Sequence, residues 1–318
     1  MESQQIIDHG NEEQIDLLKL IESLWKEKAI ILSCIVVSAL ASVLFALSTP
    51  NIYQATALLR PQASESSKGV LARQYGGLAN LAGISLPSGD GQSKTLLALE
   101  VLKSKKFAYE FSQRHGILPA LFAAKSWSAE TGEISFDSSI YEPESQTWTR
   151  DVPPYRSPAP TPQETHEIWQ SSVIAIENKD TGFIELRVEH ISPLLAKRWI
   201  DLLVVDLNES LRHKDLAESE RAVNYLEGKL KETNIAEIRE LLSGLLRSHM
   251  ESRMMATVEP DYAFSVIDPA LIPEQKIAPN RALISALGAL FGGALGVVIA
   301  RIKIAAERRY SKNRTQEA

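Results

Sequence analysis

The chain is poor in the residue types that carry chemistry. Of 318 residues one is cysteine. It is Cys34, inside an apolar run, so no internal disulfide can form. Six histidines are present, and none stands at ligand spacing from another. Thr165-His166-Glu167 and Glu189-His190 are single histidine–carboxylate neighbours, so no metal is expected. There is no Gly-x-Ser-x-Gly elbow for a nucleophile. Gly89-Asp90-Gly91-Gln92-Ser93-Lys94-Thr95 comes near a phosphate-binding loop but lacks the glycine before the lysine. No nucleotide or other cofactor is expected. Glu142 and Glu144 flank a proline in a loop and read as solvated. An excess of positive charge is missing too: 34 Lys and Arg stand against 40 Asp and Glu, a formal charge of −6. Nucleic acid is therefore excluded as a partner. Nothing in this inventory points to an enzyme.

Two long apolar runs are present. Ala29–Ser48 (AIILSCIVVSALASVLFALS) and Ala282–Ala300 (ALISALGALFGGALGVVIA) hold no charged residue. About 20 apolar residues at 1.5 Å rise match a ~30 Å hydrocarbon core, and lipid demands helices of them. The first run is longer than a signal-peptide core and follows an acidic stretch, which argues for a retained span. Lys26 and Lys28 precede the first span; Arg301, Lys303, Arg308 and Arg309 follow the second. Both termini are expected on the cytoplasmic side and the bulk on the other, periplasmic in a Gram-negative cell. The expected layout is a cytoplasmic segment 1–28, span one 29–48, a periplasmic α+β domain 49–281, span two 282–300 and a basic tail 301–318. That tail is expected to be too short for a kinase or signalling module. Gly288, Gly292, Gly296 and Ala300 fall four apart on one face of span two, with Gly293 beside them. Small faces let helices approach closely, here against span one or against a neighbouring subunit.

The middle reads as mixed α and β. Asn51–Arg60 alternates as a strand. Residues 61–92 form a loop with one short helix around Leu71–Leu81. Ser93–His115 has a helical apolar side and Ser93 as its cap, with Gly116 as the stop. Residues 123–165 look irregular, and the run Pro153–Pro162 is read as a surface excursion, or else as a recognition segment for a groove. Ser172–Asn178 and Phe183–His190 form a hairpin across Lys179-Asp180-Thr181-Gly182. Ser192-Pro193 opens a long helix over about 192–255, ~90 Å if unbroken, which reads as a helix projecting from a compact body or, alternatively, as two ordinary helices of a bundle. Thr233 and Asn234, poor helix formers, mark a place for a break. Its acidic residues Glu209, Asp215, Glu218 and Glu220 read as a wetted face, or one turned to a neighbouring subunit or a sugar polymer. Ala263–Asp268 is the last strand. The order is the βαββαβ of the ferredoxin-like fold. It sets first and last strands together, so that the two spans emerge side by side.

Several stretches resemble the Wzz chain-length determinant family, the polysaccharide co-polymerases. They are IDLLKLIESLWKEKAIIL before and into span one, IYQATALLRP after it, and LALEVLKSKKFAYEFSQRHGILPALFAAK. TGFIELRVEHISPLLAKRWIDLLVVDLN resembles the family's hairpin and long-helix start. The exit segment is also similar: Pro273, four residues, Ala278-Pro279-Asn280, eleven residues, then Gly292-Gly293. The triplet departs from the family's Ser-Pro-Lys pattern at Ala278 and Asn280, and Pro269 stands one place early. The resemblance implies a ring-forming homo-oligomer of the inner membrane without catalytic activity. It would regulate the length of a surface polysaccharide, usually lipopolysaccharide O-antigen, made by a partner polymerase, with contact to the growing polysaccharide. The alternative it leaves open is an adaptor for capsule or exopolysaccharide export that activates a separate tyrosine kinase.

Overall fold

The computed structural model describes residues 27–62, 91–258 and 261–314. The short helix expected around Leu71–Leu81 lies outside them. The chain divides into two compact units, Met1–Pro50 with Pro279–Ala318, and Asn51–Ala278.

The first unit is a pair of helices, α1 (Lys28–Ser48) and α8 (Arg281–Arg314). Both are long and apolar enough to cross a membrane. Thr49 ends α1, its N–H bonded to the Phe45 carbonyl, and Pro50 follows, a residue that disfavours helix at the position before it. Of α1 only Ala46 is buried. Leu40, Leu44, Phe45, Leu290 and Phe291 stand 60% or more exposed. A helix from a water-soluble core would hide such side chains. α8 does not stop where its apolar run ends but continues as one helix to Arg314.

The second unit is built on an antiparallel sheet. Its central strand β1 (Ile52–Pro61) alternates as its sequence predicts, with Ala55, Ala57 and Leu59 buried on one face. Six further strands are β2 (Ala124–Trp127), β3 (Ile134–Phe136), β4 (Tyr141–Glu142), β5 (Thr147–Trp148), β6 (Val173–Glu177) and β7 (Ile184–His190). The last two are β8 (Phe264–Asp268) and β9 (Lys276–Ala278). The main sheet runs β6-β7-β1-β8, and β9 pairs with the start of β1. β1 pairs antiparallel with both β7 and β8, and β6 with β7. Ile52 and Ala278, the first and last strand residues of the unit, are register partners. The β6–β7 turn closes on Asn178, whose side chain accepts from the Asp180 and Thr181 N–H groups, and on Gly182 at φ 71°.

Helices cover one face of this sheet. The helices of the unit are α2 (Gly91–Lys103), α3 (Lys105–Arg114), α4 (Leu118–Ala123), α5 (Pro162–Ser172), α6 (Pro193–Glu232) and α7 (Ala236–Val258), and α5 and α6 lie against the strands of the sheet. The core joins Ala57, Leu59, Leu186 and Val188 of the sheet to Phe107, Phe111, Trp169, Trp199, Ile200 and Leu203 of the helices. Trp169 is almost wholly buried, and its indole N–H donates to the Leu102 carbonyl at 3.0 Å. An unpartnered indole there would carry a desolvation cost.

Three expectations are corrected. The single helix over Ser93–His115 is two: α2 is already helical at Gly91, and Ser104 caps α3 by accepting from the Phe107 N–H at 3.2 Å. Gly116, at φ 63°, does end α3. Its N–H bonds Gln113 and that of Ile117 bonds Ser112, the paired bonds of a Schellman stop. Residues 123–165 are not irregular throughout: β2 pairs with β3 and β4 with β5. Pro162 belongs to a helix rather than to a loop, as the first residue of α5. Thr161 and Glu164 close a reciprocal capping box around it. The break expected at Thr233 and Asn234 is present: the helix over 192–255 stops at Glu232 and resumes at Ala236, leaving 40 residues in α6 and 23 in α7. Forty residues reach ~60 Å, not ~90 Å. The three-residue connection turns the chain so that α7 packs along α6.

Candidate helix-packing site and polar cross-links

The candidate residues of span two, Gly288, Gly292 and Gly296, all face α1. A Cβ built on Gly288 would lie 2.2 Å from Ser42 Oγ. On Gly292 it would meet Ser38 Cβ at 2.6 Å and the Cys34 carbonyl oxygen at 2.7 Å, and on Gly296 the Ile31 Cα at 2.9 Å. Two of these neighbours are backbone atoms, which no rotamer change removes. Gly293 stands apart: its Cβ would make ordinary contact, 3.6 Å from Ile35. The stripe of three glycines is thus the close-approach face, and Gly293 sits at its edge. Ala300 continues it and is fully buried.

Polar groups missed by the sequence reading tie the same pair. Ser38 Oγ donates to the Gly288 carbonyl at 2.6 Å. Arg281 Nε donates to the Ala46 carbonyl at 3.2 Å. Lys303 Nζ lies 3.0 and 3.1 Å from the two Glu27 oxygens. These links join the start of α1 to the far part of α8 and the end of α1 to its start, so the helices are antiparallel. The serines were legible as small residues four apart on α1 (Ser38, Ser42), facing glycines four apart on α8.

The exit prolines precede the stripe in sequence. Pro273 lies in the connection between β8 and β9. Pro279 stands just before α8, where Asn280 accepts from the Leu283 N–H at 3.2 Å. Asn280, a departure from the family triplet, therefore acts as the helix cap.

In the second unit several polar side chains that sequence alone singled out hold the fold together. His190 is buried, its Nε2 3.0 Å from the Ala120 carbonyl, with Nδ1 accepting from the Ser192 N–H at 3.0 Å. Burial pushes its pKa down, which keeps the ring neutral. That tautomer donates from Nε2 and has no site for a further ligand. The acidic face of α6 is not uniform. Glu209 pairs with Arg212 and His213, while Asp215 accepts from the Tyr262 hydroxyl at 2.5 Å. Burial, then Asp215, raises the Tyr262 pKa. Glu218 and Glu220 are exposed. Asn208 Oδ1 accepts from the Ala263 and Phe264 N–H groups, both at 2.8 Å, and its Nδ2 donates to the Phe264 carbonyl at 3.0 Å. One side chain so fixes the start of β8 to α6. Asp206 accepts from Arg114 at 2.7 Å and contacts His115 Nε2 at 3.0 Å, holding the end of α3 to the same helix. Glu164 is held below the usual carboxylate range by the Thr161 N–H, with Arg150 adding to it. Among the described residues no group of three or more His, Cys, Asp or Glu side chains is placed to hold a metal ion.

Residues 13–115 match the Wzz family of chain length determinant proteins. The likeness to Wzz that the entry segment, β1 and the α2–α3 region carry in their residues stands on that match. The exit motif, with Pro273, Pro279 and Gly292-Gly293, lies outside it. No curated protein matches the chain by sequence. Among solved structures, a full-length bacterial polysaccharide co-polymerase aligns over 93% of this chain and 99% of its own. The identity is 12% and the TM-score 0.39.

Proposed function

We propose that this chain is a two-span protein of the bacterial inner membrane that regulates the chain length of a surface polysaccharide, lipopolysaccharide O-antigen. It acts without catalysis, as a homo-oligomeric ring that scaffolds a partner polymerase. The observation that carries this reading is the match of residues 13–115 to the chain length determinant proteins. The two apolar, outward-facing helices support the membrane placement. Their antiparallel packing supports both termini lying on one side, and the basic residues after span two favour the cytoplasmic side. The strand order β6-β7-β1-β8 supports a ferredoxin-like base. In that base β1 and the exit strand β9 start and end side by side, which suits a domain hung from two adjacent spans. The α6–α7 pair would supply a projecting element, and copies anchored in one membrane share an orientation, which favours cyclic assembly. A ring built so would bias how many repeats are added before the polymer is released, through many weak contacts rather than one strong site.

Deletion of the gene tests this directly. The surface polymer, resolved on a gel, is expected to lose its preferred length and become broadly distributed while polymer is still made. An unchanged length distribution would end the reading. Loss of all secreted polymer would move it to the export-adaptor class.

A further inference from the structure

α8 runs as one helix through the end of its apolar stretch, and residues 305–314 extend it by about 15 Å. Residues 301–314 contain six bases (Arg301, Lys303, Arg308, Arg309, Lys312 and Arg314) and one acid, Glu307. The whole chain carries −6, so this concentration of positive charge runs against the composition of the molecule. Positions 301, 308 and 312 are seven and four residues apart, which puts them on one face of a helix. Lys303 falls on the opposite side, where it meets Glu27 at the start of α1. Glu27 thus occupies the face away from the 301–308–312 stripe. Arg301 is exposed.

We infer that this stripe binds the anionic headgroups of phospholipids on the side of the membrane where α1 begins and α8 ends. The inference rests on the membrane reading above. The chemistry is that of a short cationic helix held at a phosphate-rich surface. Each base near such a surface adds to the attraction, and the attraction is screened by salt. A continuous helix places position 301 at the headgroup level and positions 308 and 312 about 12 and 18 Å beyond Ala300 along the same side, where an anionic surface still attracts positive charge over roughly a Debye length. The contact would fix the depth and tilt of α8, and with it the antiparallel partner packed on its glycines.

The test uses the full-length protein in neutral detergent, titrated with dioleoyl phosphatidylglycerol or dioleoyl phosphatidylcholine, with bound lipid counted by native mass spectrometry. Phosphatidylglycerol is expected to be retained at least about tenfold more tightly, with the preference lost at high salt. The combined variant Arg301→Gln/Arg308→Gln/Lys312→Gln should lose that preference. The two arginines changed to lysine should keep it, which separates charge from disrupted folding. Equal retention of both lipids, or a preference that survives the glutamine variant, would overturn the inference. So would competition by millimolar glycerol phosphate, which would mark a free-phosphate site instead of a lipid surface. Extraction of the protein from membranes by alkaline carbonate without detergent is a separate outcome: it would remove the membrane reading itself.

Discussion

The two units of this molecule are packed in opposite senses. In the α1–α8 pair the large apolar side chains point outward, and the contact between helices is made of Gly288, Gly292, Gly296, Ser38 and Ser42. In the sheet unit the large side chains point inward: Trp169, Trp199, Phe111 and Phe264 are each 1% exposed. The contrast is what the proposed membrane placement of the helix pair would produce. In water, burying a large apolar side chain is worth about 1.5–3 kcal/mol, so bulk goes to the centre. Among lipid tails that gain vanishes, and close backbone contact with a few hydrogen bonds is what remains to hold helices together. The pair is therefore held by shape, and the sheet unit by volume.

Substitutions that change volume in each unit should separate the two regimes. Trp199→Ala should have the largest effect, a loss of roughly 3–5 kcal/mol. It empties the centre of the sheet unit, so near-ultraviolet circular dichroism should collapse while the protein stays in the membrane fraction. Loss of insertion would blur the distinction between the units. Gly292→Leu reverses the logic, because adding volume is what harms the pair. With Ser38 Cβ at 2.6 Å and a carbonyl at 2.7 Å from the new Cβ, the helices must separate, at a cost of about 1–3 kcal/mol. The melting temperature in detergent should fall, and the preferred polymer length should change. Gly293→Leu, at the edge of the contact, should do much less, and equal effects would mean that the stripe is not the contact.

A pH dependence should belong to the sheet unit. The folded-state pKa of His190 lies below its ordinary 6.5 because of burial. Its contribution to stability is therefore present above pH 6.5 and is lost as pH falls below that value toward the folded pKa. Thermal melts from pH 7.5 to 5 should show this decline, and His190→Gln should flatten it. The smallest effect is expected from Ser38→Ala, which removes one hydrogen bond between the helices and should cost about 0.6 kcal/mol. A much larger loss would show that polar contact, not close packing, dominates the pair.

Much of the architecture could be read from local pattern. Ala29–Ser48 and Ala282–Ala300 were legible as long helices because an unbroken apolar run of that length carries no turn signal. β1, β6, β7 and β8 were legible from alternation between flanking turn residues, and the glycine spacing on span two pointed to a close-packing face. The misreadings have physical reasons. Pro162 counted as a helix breaker because its neighbours were prolines. The signal that mattered was Thr161 with Glu164 three residues on, a pair whose side chains need each other to be recognised as a cap. Ser104 was overlooked because the apolar period runs through it with little change. β2 to β5 are too short to show any period, and their aromatic contacts, such as Tyr141 with Trp148 at 5.0 Å between ring centres, exist only once the segment is folded.

By itself, the order of residues determined which segments are apolar throughout, which alternate, and where small residues recur, because these are properties of neighbours along the chain. Tertiary structure alone decided that the glycines meet Ser38 and Cys34 rather than another surface, that Asn208 holds β8, and that α7 packs along α6. Those choices depend on partners distant in sequence, 250 residues for Ser38 and Gly288, whose contact becomes favourable only when the loss of chain entropy has been met by the rest of the fold.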